Sequence, residues 1–243
     1  MTDYKALILN LDRSPDRLKA MDNNFSEFRE NIIRIPGVYG RYLPLAAASK
    51  LAGQSIDKKL LGRLGCMLSH VSAWEYVVQN SIENALILED DTYPIREIPQ
   101  NFSSIGLPTG YDICFVNERM AFGLNPSGPE LYVSTGDAVQ NFPEDHNAPG
   151  GDGYLLSNNG ARRLLEIFSQ DGFDGFLDWR LLAYSLDSID LIDLPKSHTA
   201  RVVIQIIQST YRTRPKIQGF VLKHPFIKTD SSDTIINEME YEP

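Results

Sequence analysis

Residues 85–94 read ALILEDDTYP, four apolar side chains running without a break into the carboxylates Glu89, Asp90 and Asp91. A short continuous apolar run bounded by turn residues marks a strand buried on both faces. Ending such a strand on three negative charges is costly unless a cation or solvent relieves them. In an extended chain alternate side chains share a face, so Glu89 and Asp91 can point one way while Asp90 turns aside. Converging carboxylate oxygens suit a hard divalent cation. Carboxylates merely solvated at a strand end would read the same, and the tripeptide alone leaves both readings open.

Outward from this strand the pattern alternates. LGCMLSHVSAWEYVV at 64–78 carries apolar residues at 64, 68, 71, 74 and 78, which predicts a helix with Ser69 on the opposite side and His70 at the border of the apolar arc. Near the start, KALILNL at 5–11 predicts a buried strand, and Ser14 and Pro15 suit the cap and first position of a helix reaching about residue 28. NIIRIPGVYG then gives a second strand, stopped by Pro36, Gly37 and Gly40. Downstream, YDICFV reads as a strand, and GGDGYLLSNNGARRLLEIF as a glycine turn, a strand and a helix capped near Asn158 or Asn159. Residues 120–151 show little periodicity and read as a long loop with room for one hairpin. In open α/β sheets ligands bind beyond the carboxyl ends of strands, where the acidic triplet stands.

Composition narrows the class. The 243 residues are 42% hydrophobic and 23% charged, which excludes a disordered or fibrous chain and suits one large α/β domain. A net charge of −9 with no long basic run excludes nucleic acid as a partner. A phosphate ligand would then need a local cation, either a metal or a few arginines. No stretch approaches the roughly 20 apolar residues of a membrane span, and the start lacks a signal-peptide core, so a soluble cytoplasmic chain is expected. Cys66 and Cys114 sit in apolar patterns and read as buried free thiols, which fits a reducing compartment.

LGCMLSHVSAWEYVV followed by ALILEDD resembles the central signature of glycosyltransferase family 25, which includes lipopolysaccharide glycosyltransferases and relatives of the collagen galactosyltransferases. LILNLDRSPDRLKAM and GYLLSNNGARRLL extend the likeness, in order, over most of residues 5–180. The resemblance implies a GT-A type, Rossmann-like nucleotide-sugar-binding fold with a central mixed sheet flanked by helices. It also implies a nucleotide-sugar-binding half at 1–118, an acceptor-side catalytic half at 119–230 and a polar tail at 231–243. The implied activity is metal-dependent, inverting transfer of a hexose, galactose from UDP-galactose, to a cell-envelope glycan. An envelope acceptor would bring peripheral contact with the inner face of the cell membrane.

Carried onto this sequence, the resemblance makes Glu89, Asp90 and Asp91 the counterpart of a DXD motif, with Mn²⁺ or Mg²⁺ bound directly by Asp91, and with Glu89 a metal-site residue acting through the metal's waters or near the ribose. Asn10, Leu11 and Arg17 would border the nucleotide, with Ser69 and His70 lining the donor site. Arg13 reads as a solvated helix residue, and Tyr39 stands where the family often has Asp, open to stacking on a base or to packing. Asp178, in GFLDWRL, is the expected catalytic base, with Asp174 its competitor and a helix cap its alternative role. His224 is the expected third metal ligand, with His198 its rival. Two other classes stay open: a metal-dependent nucleotidyltransferase, against which NLDRSPDR lacks a phosphate-cradling glycine, and a non-catalytic nucleotide-sugar-binding domain.

Overall fold

The computed structural model describes residues 4–28, 30–127, 129–146, 149–173, 177–186, 197, 199, 201–202 and 217–230. In chain order these carry β1 (Lys5–Asn10), α1 (Pro15–Asn24), β2 (Ile32–Pro36), α2 (Leu45–Ala52), α3 (Leu61–Gln79), β3 (Asn84–Glu89), β4 (Thr92–Pro94) and β5 (Ile113–Phe115). There follow α4 (Glu118–Ala121), β6 (Tyr132–Ser134), α5 (Thr135–Asn141), β7 (Gly153–Ser157), α6 (Asn158–Asp171), α7 (Leu177–Tyr184), β8 (Gly219–Leu222) and β9 (Ile227–Thr229).

The two apolar runs that dominate the sequence, β1 and β3, lie side by side and parallel in the interior of a seven-stranded sheet of order β2-β1-β3-β7-β5-β8-β6. Strand β7 runs antiparallel to both β3 and β5, so the sheet is mixed, and β4 pairs with β9 outside it. Alternation along each strand feeds two cores. Leu7, Ile87, Phe115 and Tyr154 pack with Trp74 of α3 and Leu164 of α6, while Ile8, Leu88, Cys114 and Leu155 pack with Met21 and Phe25 at α1. Helices on both faces explain why these strands are continuously apolar. The central mixed sheet flanked by helices is the architecture expected from the sequence.

Antiparallel β7 has a consequence for chemistry. The carboxyl ends of β1, β3 and β5 and the amino end of β7 meet along one edge of the sheet. Four segments therefore deliver polar side chains to one place.

The structure corrects several local expectations. Residues 120–151 are not a long loop: they hold β6, which closes the sheet edge by pairing antiparallel with β8, and α5, capped by Ser134 Oγ accepting from Asp137 N. Their periods were hidden because each element is short. Helix α1 stops at Asn24, and a 3-10 turn at Ser26–Phe28 follows it. Helix α6 is capped by Ser157, whose hydroxyl accepts from Gly160 N, whereas Asn158 donates to Val77 O and Ile82 O at the end of α3. Ser69, expected outside, is buried, and Leu68, Val71 and Val78 are only half-buried. The helix is covered on nearly every side, so a single apolar face was the wrong template. Among the described residues no helix is long and apolar enough to cross a membrane.

Two glycines set how closely α3 approaches the segment after β2. A Cβ on Gly40 would fall on the carbonyl oxygen of Leu61, and one on Gly65 would meet Val38 O at 2.5 Å. Ser69 Oγ completes the seam, accepting from Val38 N and donating to Gly65 O, both at 2.8 Å. Because the obstructing atoms are backbone, they cannot rotate away. Gly40→Ala and Gly65→Ala should each destabilise the fold by about 1–3 kcal/mol. The double variant should lose less than the sum, because both relieve one contact. Urea unfolding of the three proteins checks this, and additive losses would show the two glycines to be independent.

Candidate active site

Alternation along β3 sorts the three carboxylates between layers. Glu89 leaves on the α3 side, where its Oε1 lies 3.3 Å from His70 Nε2 and 3.9 Å from Cys66 Sγ. Asp90 leaves on the α1 side and is held there: Asn10 Nδ2 donates to it at 2.7 Å and Arg17 Nη1 at 3.0 Å. Asn10 is itself oriented by Arg34, whose Nε donates to Asn10 Oδ1 at 3.0 Å. Asp91 follows in the turn, its carbonyl accepting from Asp230 N at 2.9 Å, while its buried Oδ1 has no hydrogen-bond partner.

The opposite wall comes from β7, β5 and α7. Glu89 N donates to Asp152 O at 3.0 Å, extending the β3–β7 ladder by one rung and placing a fourth carboxylate beside the triplet. The Asp152 residue is 1% exposed and neither carboxylate oxygen is hydrogen-bonded. Arg119 Nη2 lies 2.8 Å from Asp152 Oδ1, an ion pair by distance without hydrogen-bond alignment. Asn117 fixes this wall: its Nδ2 donates to Gly150 O at 2.9 Å and Gly153 O at 3.1 Å, and its Oδ1 caps α4. Asp178, in the first turn of α7, lies against Gly151, where any Cβ would collide with its carboxylate.

A pocket opens on the β1, α1 and α3 side of this cluster, with Asn10, Arg17, Cys66, Glu89 and Asp91 among its lining and roughly 570 Å³ of space, part of it open to solvent. Residues 3–105, which supply that lining, match the family described as Glycosyltransferase family 25 (LPS biosynthesis protein). Residues 3–105 are thus similar to glycosyltransferase family 25. A Glycosyltransferase 25 family member from Aedes aegypti is 29% identical over 180 residues, covering 65% of this chain and 27% of its own. Procollagen galactosyltransferase 1-B from Xenopus laevis is 22% identical over 182 residues, covering 68% and 28%. The chain thus spans about a quarter of the length of these curated relatives. A solved glycosyltransferase involved in the glycosylation of the major capsid of PBCV-1 is 10% identical and covers 97% of both chains, with a TM-score of 0.41.

The clustered carboxylates sit in a strongly acidic field. Burial, then the charge of Asp152, pushes Glu89 up to about 7, with Arg119 opposing. Burial, then Glu89 and Asp90, pushes Asp91 up to about 8. Burial also pushes Asp178 up to about 7, Arg119 holding it down and Glu89 and Asp152 raising it. His70 moves the other way, to about 4, because burial penalises its cation more than the nearby acids favour it. It is therefore neutral near pH 7. Its Nδ1 lies 2.8 Å from Tyr154 OH, which accepts from Trp74 Nε1 at 2.8 Å.

Of the residues singled out in the sequence, Asn10, Leu11, Arg17, Ser69, His70, Glu89, Asp90 and Asp91 all line this one pocket. Asn10 and Arg17 do so while bonded to Asp90, and Ser69 while bridging Gly65 and Val38. Arg13 is stacked over Tyr39, 4.4 Å from the ring centroid, rather than simply solvated. His224 is exposed between β8 and β9 and is absent from the pocket wall. Asp174 and His198 lie outside the described residues. Sequence reasoning missed Asp152 and Arg119. The only hint of Asp152 was its place between glycines in GGDGY, directly before a strand.

The sign of the pH dependence follows. Between about pH 5 and 8 the folded metal-free chain keeps protons on Glu89, Asp91 and Asp178 that the unfolded chain, titrating near 4, has lost. Stability must fall as the pH rises through this window. The neutral His70 has the opposite effect only below about pH 6.5. The melting temperature of metal-free protein should therefore drop by at least about 3 °C from pH 6.5 to 8, taking roughly 2–4 °C per kcal/mol for a chain of this size. Asp91→Asn should flatten the drop. Calorimetry across that range decides it, and a melting temperature that rises with pH would contradict the assignment.

Proposed function

We propose that this chain transfers a sugar from a nucleotide-sugar donor to a glycan acceptor, with a divalent cation at the carboxylate cluster. The observation that carries the reading is the buried Asp91 Oδ1, which has no hydrogen-bond partner, in a pocket lined by the region that matches family 25, with the buried carboxylate of Asp152 nearby. A hard, all-oxygen donor set fits Mn²⁺ or Mg²⁺. The oxygens of Glu89, Asp91 and Asp152 do not form a preformed cage, since the described acidic, cysteine and histidine side chains converge as a trio only at Cys66, His70 and Glu89. That also fits, because such ions take one or two carboxylates and complete their shell with water and substrate phosphate.

Asp91 would hold the cation, with Glu89 or Asp152 assisting. The bound ion would neutralise charge on the departing nucleoside diphosphate. Arg17 and Asn10 keep Asp90 turned to the α1 side, which stops the middle carboxylate from crowding the site. Asp178 is the candidate base: a carboxyl held near neutrality can take a proton from an acceptor hydroxyl as it attacks the sugar from the face opposite the leaving group. Transfer by that single displacement inverts the anomeric centre. Arg119, between Asp152 and Asp178, limits how far those charges repel one another.

Galactose is the sugar favoured by the name of the Xenopus laevis relative, with UDP-galactose the proposed donor, and a cell-envelope glycan is the acceptor favoured by the family's description. An acceptor of that kind places the reaction in the cytoplasm, at the inner face of the cell membrane.

Titrating UDP and GDP into the protein, with Mn²⁺ and with chelator, tests the reading. UDP binding should require Mn²⁺, and Asp91→Ala should weaken it by more than the roughly 10–100-fold typical of losing an outer-sphere partner. Asp178→Asn should leave UDP binding unchanged while lowering turnover about 10²–10⁴-fold. Folded protein that binds no nucleotide in either buffer would defeat the proposal.

A further inference from the structure

The α3 wall of the pocket has a donor set of a different character. Cys66 and His70 stand one turn apart on α3 and so project from one helix face, opposite Glu89 at the end of β3. A sulfur, a ring nitrogen and a carboxylate oxygen from the three residues all lie within 4.8 Å of one another. His70 Nε2 and Cys66 Sγ approach the same oxygen, Glu89 Oε1, at 3.3 and 3.9 Å. Around a tetrahedral ion with bonds of about 2.0–2.3 Å, donor atoms stand about 3.3–3.6 Å apart, so little movement is needed to admit one.

We propose that Cys66, His70 and Glu89 form a binding site for a thiophilic divalent cation of the Zn²⁺ class, distinct from the hard-cation position at Asp91. Thiolate, imidazole and carboxylate together suit zinc, whereas the oxygens of Asp91 and Asp152 suit Mn²⁺ or Mg²⁺. The supporting groups are in place. Tyr154 OH holds His70 Nδ1, and Trp74 Nε1 holds Tyr154, which fixes the ring with Nε2 toward Glu89. A metal-bound histidine needs such an outer partner. Burial keeps His70 neutral, leaving a ring lone pair for a metal. It also disfavours the Cys66 thiolate, and the charge of Glu89 adds to that, so a cation there would exchange for the thiol proton, released to solvent. All three residues reach the pocket, which leaves a fourth position for water.

The two sites share Glu89. A zinc ion on the α3 wall would draw that carboxylate away from Asp91.

Cobalt(II) added to reduced, metal-free protein is the probe, because tetrahedral thiolate ligation gives a sulfur-to-cobalt charge-transfer absorption that oxygen ligation does not. The wild type should show the band, and Zn²⁺ should abolish it. Cys66→Ser should lose it while melting normally, Cys114→Ser should keep it, and Asp91→Asn should keep it. With two cysteines in the chain, that pair of variants is decisive. Tyr154→Phe should weaken cobalt binding about 10–100-fold. Absence of the band in the wild type, its survival in Cys66→Ser, or its loss in Asp91→Asn would each overturn the site. The readout needs no nucleotide, so it stands apart from any failure of UDP binding.

Discussion

The hydrogen bond from Glu89 N to Asp152 O is the contact on which the site depends. It is the last rung of the antiparallel ladder between β3 and β7, and it brings a buried aspartate against a strand that already ends in three acids. Without that pairing the triplet would be an ordinary acidic strand end with solvent to relieve it. With it, desolvation and mutual repulsion hold Glu89, Asp91 and Asp178 far above the usual carboxylate range. Arg119 offsets only part of the charge. A buried acidic excess of this kind is destabilising by itself.

The remaining architecture isolates the functions of neighbouring residues. Because successive side chains leave β3 on opposite faces, Glu89 and Asp90 enter different layers although they are adjacent in sequence. Asp90 becomes a structural anchor for Asn10 and Arg17, tying β1 and α1 to the end of β3. Glu89 is tied through His70 to a chain of buried rings, Tyr154 and Trp74, inside the α3 core. Asp91 keeps an unpartnered oxygen. Three consecutive acids thus have three different environments.

Backbone packing supports this division. Gly40 and Gly65 allow the segment after β2 to lie directly on α3, and Ser69 bolts the two together. Val38 and Ser69 of that seam line the pocket together with Cys66 and His70. A wider spacing there would move the α3 donors away from Glu89, so small residues that carry no chemistry govern the geometry of those that do.

The sequence by itself determined a strand within 5–11, the apolar strand at 85–88, a helix over 64–78, the alternating α/β order and the position of the acidic triplet at a strand end. These were legible because burial on both faces and helical periodicity are local signals. It did not disclose that β7 lies between β3 and β5 with opposite sense, that β6 and α5 occupy residues 132–141, or that Asp152 and Arg119 complete the cluster. Strand direction and neighbour are properties of long-range pairing, which leaves no periodic trace in a segment as short as Gly153–Ser157. The contacts of Asn10, Arg17 and Ser69 were likewise decided only in three dimensions, because Asp90 and Val38, which partner them, are distant in sequence.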